Sequence, residues 1–192
     1  MRIHVVSFGG VCCTHIIKQM QSVGIVTNDS GNKDGLKHQY SPTCPKLQKL
    51  QTKYDKIIYL YNDPMLALIS HFGRKWAHDQ HRKIIRKATL TRKHLLEFKI
   101  LESHTVKAGK DVFGLEEHFN EWFHFEHKKP IVFLDVREED FNERLNAFVG
   151  ADVPLHFGTR GSKKESCSEE MLRIYEALDD RIKEKIASLS SN

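Results

Sequence analysis

The first twenty residues constrain the fold of this chain more than any other stretch. Residues 3–8 (Ile-His-Val-Val-Ser-Phe) form a short apolar run, rich in β-branched residues, of the length of one buried strand. Gly9 and Gly10 follow, and glycine permits backbone angles and close approaches that other residues resist. Apolar residues then recur at helical spacing up to Met20. A strand, a glycine turn and a helix present free backbone N–H groups and a positive helix end to an anion, which is typical of a phosphate-binding site and equally of any α/β protein.

Later apolar runs extend this pattern along the chain. Residues 56–61 and 130–136 predict buried strands, and residues 24–29 predict a shorter one. We predict further helices over 46–53, 64–72, 74–99, 115–125, 138–148 and 169–189. Asp63 and Pro64 predict the start of the helix over 64–72. We predict a loop over 103–112. Alternating strands and helices indicate an α/β fold, a three-layer αβα arrangement around a central parallel sheet. Ligands of such folds bind at the carboxyl ends of the strands.

Composition narrows the class of protein. The chain has 192 residues, of which 40% are hydrophobic, so we expect one globular domain over residues 1–192. No run approaches the ~20 apolar residues of a membrane span, and the first strand begins where a signal peptide would lie, so we expect a soluble, cytoplasmic protein. The net charge of +5 suits an anionic ligand but is also ordinary for a soluble domain.

The cysteines and histidines exclude several site chemistries. The four cysteines contain no CxxC pair, which argues against a disulfide framework, and the histidine groups lack a completing Cys or carboxylate pattern, so we expect no metal. Cys12 and Cys13 lie where a helix N-terminus lowers a thiol pKa. A thiol phosphatase loop would need an arginine six residues later, and Lys18 and Gln19 stand there instead.

The opening turn also differs from the loop that binds nucleoside triphosphates. That loop, GxxxxGK[ST], uses its lysine to hold the terminal phosphates and its hydroxyl to hold Mg²⁺. Thr14 is kept here, but Cys12 and Cys13 stand at the glycine and lysine positions. The sequence therefore argues against Mg²⁺-dependent hydrolysis of ATP or GTP.

Three stretches resemble the sulfotransferases that use 3′-phosphoadenosine 5′-phosphosulfate (PAPS). Residues 7–15 (SFGGVCCTH) are similar to the family's 5′-phosphosulfate loop, commonly S-F-P-K-S-G-T-T-W. Residues 59–71 (YLYNDPMLALISH) are similar to the strand and helix that bind the 3′-phosphate, where R-D-P-R-D is followed by a serine. Residues 133–150 resemble the late R-Y-E-D-L strand and helix that end in F-L-G. The stretches follow the family's order and span most of the chain, so the resemblance implies its P-loop nucleotide-binding architecture.

The resemblance also implies a set of site residues. The residues expected to bind the nucleotide are Gly9, Gly10, Val11, Cys12, Cys13 and Thr14 at the 5′-phosphosulfate, Asn62 and Ser70 at the 3′-phosphate, and Arg160, Gly161, Ser162 and Lys163 in a closing loop. Two family residues are replaced, because the loop lysine aligns with Gly10 and the 3′-phosphate arginine aligns with Asn62. Lys18, Lys37, Arg74 or the basic stretch 160–164 would supply the missing charge.

Lys37 and His38 are the candidate catalytic residues. With Leu36 they resemble the family's K-T-H segment, whose histidine is the general base. The implied reaction transfers a sulfuryl group from PAPS, without a metal, to a hydroxyl or amine of a sugar, alcohol, phenol or protein. The replaced residues leave open a catalytically inactive relative that binds a nucleotide or a protein partner. The basic residues over 74–99 indicate a solvated face, with nucleic-acid binding as a less favoured interpretation.

Overall fold

A computed structural model describes residues 1–28, 36–45, 47–48, 53–155 and 167–189. Its centre is a parallel sheet of four strands, in the spatial order β2-β1-β3-β4. The strands are β1 (Arg2–Val6), β2 (Val26–Thr27), β3 (Lys56–Tyr61) and β4 (Ile131–Asp135). Because the chain leaves β1 toward β2 on one side and returns to β3 on the other, the strand order reverses at β1.

Seven α-helices surround the sheet in the described part of the chain. They are α1 (Cys13–Ser22), α2 (Pro64–Gly73), α3 (Ala77–Ile84), α4 (Phe98–Ala108), α5 (Leu115–Phe123), α6 (Phe141–Val149) and α7 (Glu169–Leu189). A short 3₁₀ helix, Arg92–Leu95, lies between α3 and α4.

Both faces of the sheet are buried. Successive residues of a strand point to opposite faces, and all of Ile57–Tyr61 is buried, so neither face meets solvent there. On one face the Tyr59 ring packs against Phe119 and Trp122 of α5, with centroid distances of 5.8 and 6.4 Å. The predicted α/β class and parallel sheet are confirmed, and the arrangement is consistent with three layers.

Local signals fixed several boundaries as expected. The Asp63 carboxylate accepts hydrogen bonds from the backbone N–H groups of Met65 and Leu66, at 2.9 and 3.1 Å, and Pro64 opens α2. The aromatic helix is also confirmed, and Phe119 and Trp122 belong to the core.

Two predictions about the middle of the chain were wrong. The loop expected over 103–112 is mostly the second half of α4, because Leu101 and Thr105 bury the same helix face four residues apart. The helical pattern over 74–99 is interrupted, since Lys75 adopts a left-handed conformation with φ +59° and α3 ends at Ile84. The surface helix predicted over 46–53 lies partly outside the described residues.

A buried ion-pair cluster joins the end of β4 to α7. The Asp135 carboxylate accepts the Arg137 N–H at 2.9 Å and pairs with the Arg137 guanidinium, which also donates to both carboxylate oxygens of Asp179 at 2.7 and 2.8 Å. Burial opposes ionisation of Asp179, yet the hydrogen bonds from Arg137 and Lys183 hold the pKa of its carboxyl below the usual value. The cluster fixes the last helix against the sheet.

Replacing Arg137 should destabilise the fold strongly. In Arg137→Met the buried Asp135 carboxylate loses its partner, and we expect the free energy of unfolding to fall by about 3–5 kcal/mol. The matched control is Arg173→Met, whose side chain is 76% exposed beside Glu169 on α7 and should cost less than about 1 kcal/mol. Urea denaturation of both variants measures the difference, and equal losses would contradict a structural role for the cluster.

Candidate functional site

The loop between β1 and α1 lies beside residues 36–38 because those residues continue the hydrogen bonding along β1. The Asn28 side chain pairs with the backbone of Val5, accepting from its N–H at 2.8 Å and donating to its carbonyl at 2.9 Å. Two residues further along the same edge, the Ser7 N–H donates a hydrogen bond to the Lys37 carbonyl at 2.8 Å. Residues distant in sequence therefore meet at the carboxyl end of β1.

A cavity of about 120 Å³ opens at this junction. It is lined by Gly10, Val11, Cys12, Cys13, Thr14 and His15 from the loop and α1, and by Lys37, His38 and Arg74. Its position, where the strand order reverses at β1, is the place where open α/β sheets bind ligands.

Several residues that line the cavity have backbone N–H groups that are not used within the fold. Over the described residues, the N–H groups of residues 10–12 and 14 make no hydrogen bond, whereas the Cys13 N–H contacts its own sulfur. The first turn of α1 contains no acidic residue and no side-chain cap, and Cys12 precedes it in the left-handed conformation with φ +59°. The partial positive charge of the helix end therefore faces no negative side chain of its own helix.

The two glycines are required by packing against α2. Gly10 has φ +76°, and a Cβ atom placed on it would lie 2.6 Å from the Ala67 Cα. Gly9 has φ +90°, and its Cβ would lie 2.6 Å from the His71 ring and 2.8 Å from Gln80. A side chain at position 10 would collide with the α2 backbone at Ala67. The lysine that the sulfotransferases carry at the aligned position would therefore not fit in this loop.

His38 is held by the backbone of the first loop. Its Nδ1 lies 2.9 Å from the Ser7 carbonyl, which accepts a hydrogen bond only if Nδ1 carries the proton. The other ring nitrogen, Nε2, is then unprotonated, and it has no hydrogen-bond partner within the described ranges. The pKa of His38 is lowered to about 3, mainly by burial and also by the charges of Lys37, Lys83 and Arg74, while the hydrogen bond to the Ser7 carbonyl opposes the shift. The imidazole is neutral at pH 7.

Ser7 and Cys13 form the support beneath this loop. The Ser7 hydroxyl oxygen accepts hydrogen bonds from the Gly9 N–H and the Cys13 thiol, both at 2.9 Å. Burial raises the pKa of Cys13 to about 12, so its thiol stays protonated at neutral pH. Although a helix N-terminus favours a thiolate, burial decides the protonation of Cys13.

Arg74 links the cavity to Ser70. Its guanidinium donates to the Ser70 hydroxyl at 2.8 Å and to the Ser70 carbonyl at 3.0 Å, one turn earlier on α2. Ser70 itself does not line the cavity. The sequence offered Arg74 beside Lys18, Lys37 and the stretch 160–164 as a replacement for the family's lysine and arginine. Its spacing of four residues from Ser70, which places both on one helix face, could have distinguished it.

Not every predicted site residue reaches the cavity. Gly10, Val11, Cys12, Cys13, Thr14, Lys37 and His38 line it. Gly9 packs on α2 instead, and the Asn62 side chain accepts a hydrogen bond from the Asp63 N–H at 2.7 Å, away from the cavity lining. Arg160, Gly161, Ser162 and Lys163 lie outside the described residues. Ser7, His71 and Gln80 support the loop and were missed by sequence reasoning.

Comparison of the chain with protein-family models, curated proteins and solved structures finds no match. In the described part of the chain, no helix is both long and apolar enough to cross a membrane. Within those same residues, no group of three or more His, Cys, Asp or Glu side chains is arranged to hold a metal ion.

The packing of the loop predicts a large difference between two glycine substitutions. Gly10→Ala should destabilise the protein by more than about 2 kcal/mol, because it adds a collision with Ala67 to the cost of a positive φ. Gly109→Ala is the matched control, since Gly109 has φ +62° with no atom near its Cβ position. It should cost about 1 kcal/mol. Thermal unfolding of both variants tests this, and equal effects would show that the loop does not pack against α2 as described.

Buried histidines predict that acid weakens the fold. Burial lowers the pKa of His4 to about 4 and those of His38, His71 and His118 to about 3, from an ordinary value of 6.5. Between pH 6.5 and about 4 the unfolded chain binds protons at these rings while the folded chain does not. The free energy of unfolding should therefore fall as the pH falls through this window, by up to about 1.4 kcal/mol per pH unit for each ring.

Denaturation at pH 7.5, 6.0 and 5.0 measures this slope. His4→Phe should reduce it by about one proton, whereas His124→Gln, on an exposed side chain, should leave it unchanged. A stability that does not change over this range would contradict burial of the neutral rings.

Proposed function

We propose that the chain is a divergent sulfotransferase with P-loop nucleotide-binding architecture, which uses PAPS as its sulfuryl donor. One observation carries the proposal: among the described residues, four with backbone N–H groups that make no internal hydrogen bond, Gly10, Val11, Cys12 and Thr14, line one small cavity together with Lys37, His38 and Arg74. Backbone donors, a helix N-terminus and cations are the groups that bind phosphate and sulfate. The resemblance in residues 7–15, 59–71 and 133–150 selects PAPS among the possible phosphorylated ligands.

The residues present fit the anionic parts of that donor. The cavity and its N–H groups would hold the 5′-phosphosulfate, and Lys37 and Arg74 would supply the charge that the family's loop lysine supplies. The Ser70 hydroxyl, already bound to Arg74, would hold the 3′-phosphate at the edge of the same site. Among the described residues, no acidic side chain lines the cavity to oppose these anions.

His38 is the candidate general base. When bound, PAPS supplies a sulfuryl group, which passes to an acceptor hydroxyl or amine as its bond to the 5′-phosphate breaks. The Ser7 carbonyl keeps the proton of His38 on Nδ1, so Nε2 is the atom that would accept the acceptor's proton. The cations and N–H groups would stabilise the negative charge that develops on the departing phosphate.

The low pKa of His38 in the free protein is compatible with this role only if bound PAPS raises it. An imidazole with a pKa of about 3 accepts a proton poorly at neutral pH. Negative charge brought beside it would offset Lys37, Lys83 and Arg74 and raise the pKa of His38. Donor binding would therefore prepare the base, and the free enzyme would keep it neutral.

A second candidate function is nucleotide binding without turnover. It is favoured by the collision that excludes a lysine at position 10 and by the low pKa of His38. Such a protein would bind the nucleotide in the cavity and present the resulting surface to a protein partner.

Binding of the desulfated product, 3′-phosphoadenosine 5′-phosphate (PAP), tests the site. Calorimetric titration in EDTA should show saturable binding of PAP, and weaker binding of ATP, which lacks the 3′-phosphate. Arg74→Met should weaken PAP binding about tenfold or more, whereas Arg82→Met, which removes an equally exposed arginine outside the cavity, should have little effect. Absence of PAP binding at millimolar ligand would reject both candidate functions.

A transfer assay then separates the two candidates. Labelled PAPS should transfer sulfate to at least one member of an acceptor panel of sugars, phenols, alcohols and peptides. His38→Asn keeps a donor to the Ser7 carbonyl but removes Nε2, so it should retain PAP binding and lose most transfer. Transfer by this variant at the wild-type rate would exclude His38 as the base. PAP binding without transfer to any acceptor would favour the non-catalytic candidate.

A further inference from the structure

The segment from Arg74 to Leu96 has a larger net positive charge than the whole chain. It contains eight Lys and Arg residues and a single acidic residue, Asp79, so its net charge is +7, whereas the net charge of the whole chain is +5. The rest of the chain therefore has a net charge of −2. A surface with one predominant sign attracts partners of the opposite sign.

A groove of about 510 Å³ lies within this segment, where the end of α2 and the start of α3 meet the 3₁₀ helix. We call it the basic groove. Its apolar lining comes from Phe72, Ala77, Leu95 and Leu96, and its polar lining from Lys75, Arg92 and the neighbouring His78 and Asp79. The His78 Nδ1 lies 3.5 Å from the Asp79 carboxylate, so the one acidic group of the groove already has a partner.

Two large apolar side chains remain exposed at this surface. Trp76 is 59% exposed and Leu96 is 64% exposed. The Arg74 guanidinium lies over the Trp76 ring, 5.4 Å from its centroid. Tryptophan and arginine are the residues that most often dominate the energy of protein interfaces, and exposed apolar groups beside a polar rim mark docking sites.

We propose that the basic groove docks an acidic peptide segment through an apolar anchor side chain. The apolar lining takes the anchor, and Lys75 and Arg92 pair with carboxylates on either side of it. A nucleic acid fits the observations less well, because phosphates are bound by cations and do not call for an aliphatic lining. The basic groove and the anion cavity share no lining residue, so this proposal does not rest on the proposed function.

Trp76 provides a direct measurement. The chain has two tryptophans, and Trp122 is fully buried, so a change in emission on peptide binding reports on Trp76. The probe is a synthetic amphipathic peptide with Leu at every third or fourth position and Glu between them. Three controls accompany it: the same peptide with Ser for Leu, the same peptide with Lys for Glu, and a single-stranded RNA. We expect saturable binding of the first peptide, with a blue shift of emission, and binding at least about tenfold weaker for all three controls.

Charge and apolar variants locate the site. Arg92→Glu and Leu96→Ser should each weaken the acidic peptide about tenfold or more, measured by anisotropy of a labelled peptide. Lys87→Glu makes the same charge change on an exposed residue outside the groove, and it should change affinity by less than about threefold. Leu96 is mostly exposed, so its variant should keep the wild-type melting temperature, which circular dichroism checks.

Three results would overturn the proposal. They are no saturable binding of the acidic peptide, equal binding of the peptide without leucines, and tighter binding of RNA than of the peptide.

Discussion

The hydrogen bond from the Ser7 N–H to the Lys37 carbonyl is the contact on which the candidate site depends. It continues the pairing of β1 beyond the short strand β2, after the Asn28 side chain has taken the place of a strand partner at Val5. Through it, residues 10–15 and residues 37–38 line one cavity. The Ser7 carbonyl then sets the tautomer of His38, so one residue fixes both the backbone and the imidazole.

Burial around the cavity shifts the pKa values of histidines and cysteine in opposite directions. His38 and His71 stay neutral because burial and nearby cations oppose a further positive charge. Cys13 stays protonated because burial opposes a negative one. In the described part of the chain, the N–H groups of Gly10, Val11, Cys12 and Thr14 make no internal hydrogen bond, so an anion bound in the proposed way would displace solvent without breaking bonds of the fold.

The sequence predicted the parts of the fold that local signals determine. The strand at 56–61, the cap at Asp63 and the long helix at 169–189 follow from β-branched runs, an N-cap with proline and amphipathic spacing. It failed where tertiary packing decides. Residues 103–108 are helical because Leu101 and Thr105 share a buried face. The Arg137 guanidinium pairs with both Asp135 and Asp179, and Asp179 lies on a helix that no local pattern places beside β4. The glycine turn was located correctly, but its close contact with Ala67 depends on the placement of α2, which no local pattern specifies.

We propose that an anionic nucleotide binds beside His38 and raises the pKa of its imidazole. Nitrogen NMR of the histidine side chains tests it most directly, with the His38 signals assigned by their absence from His38→Asn. In the free protein they should report a neutral ring protonated at Nδ1 throughout the range from pH 5 to pH 8. With saturating PAP, the titration midpoint of His38 should rise toward neutral pH. A His38 titration that is identical with and without bound PAP would contradict the account.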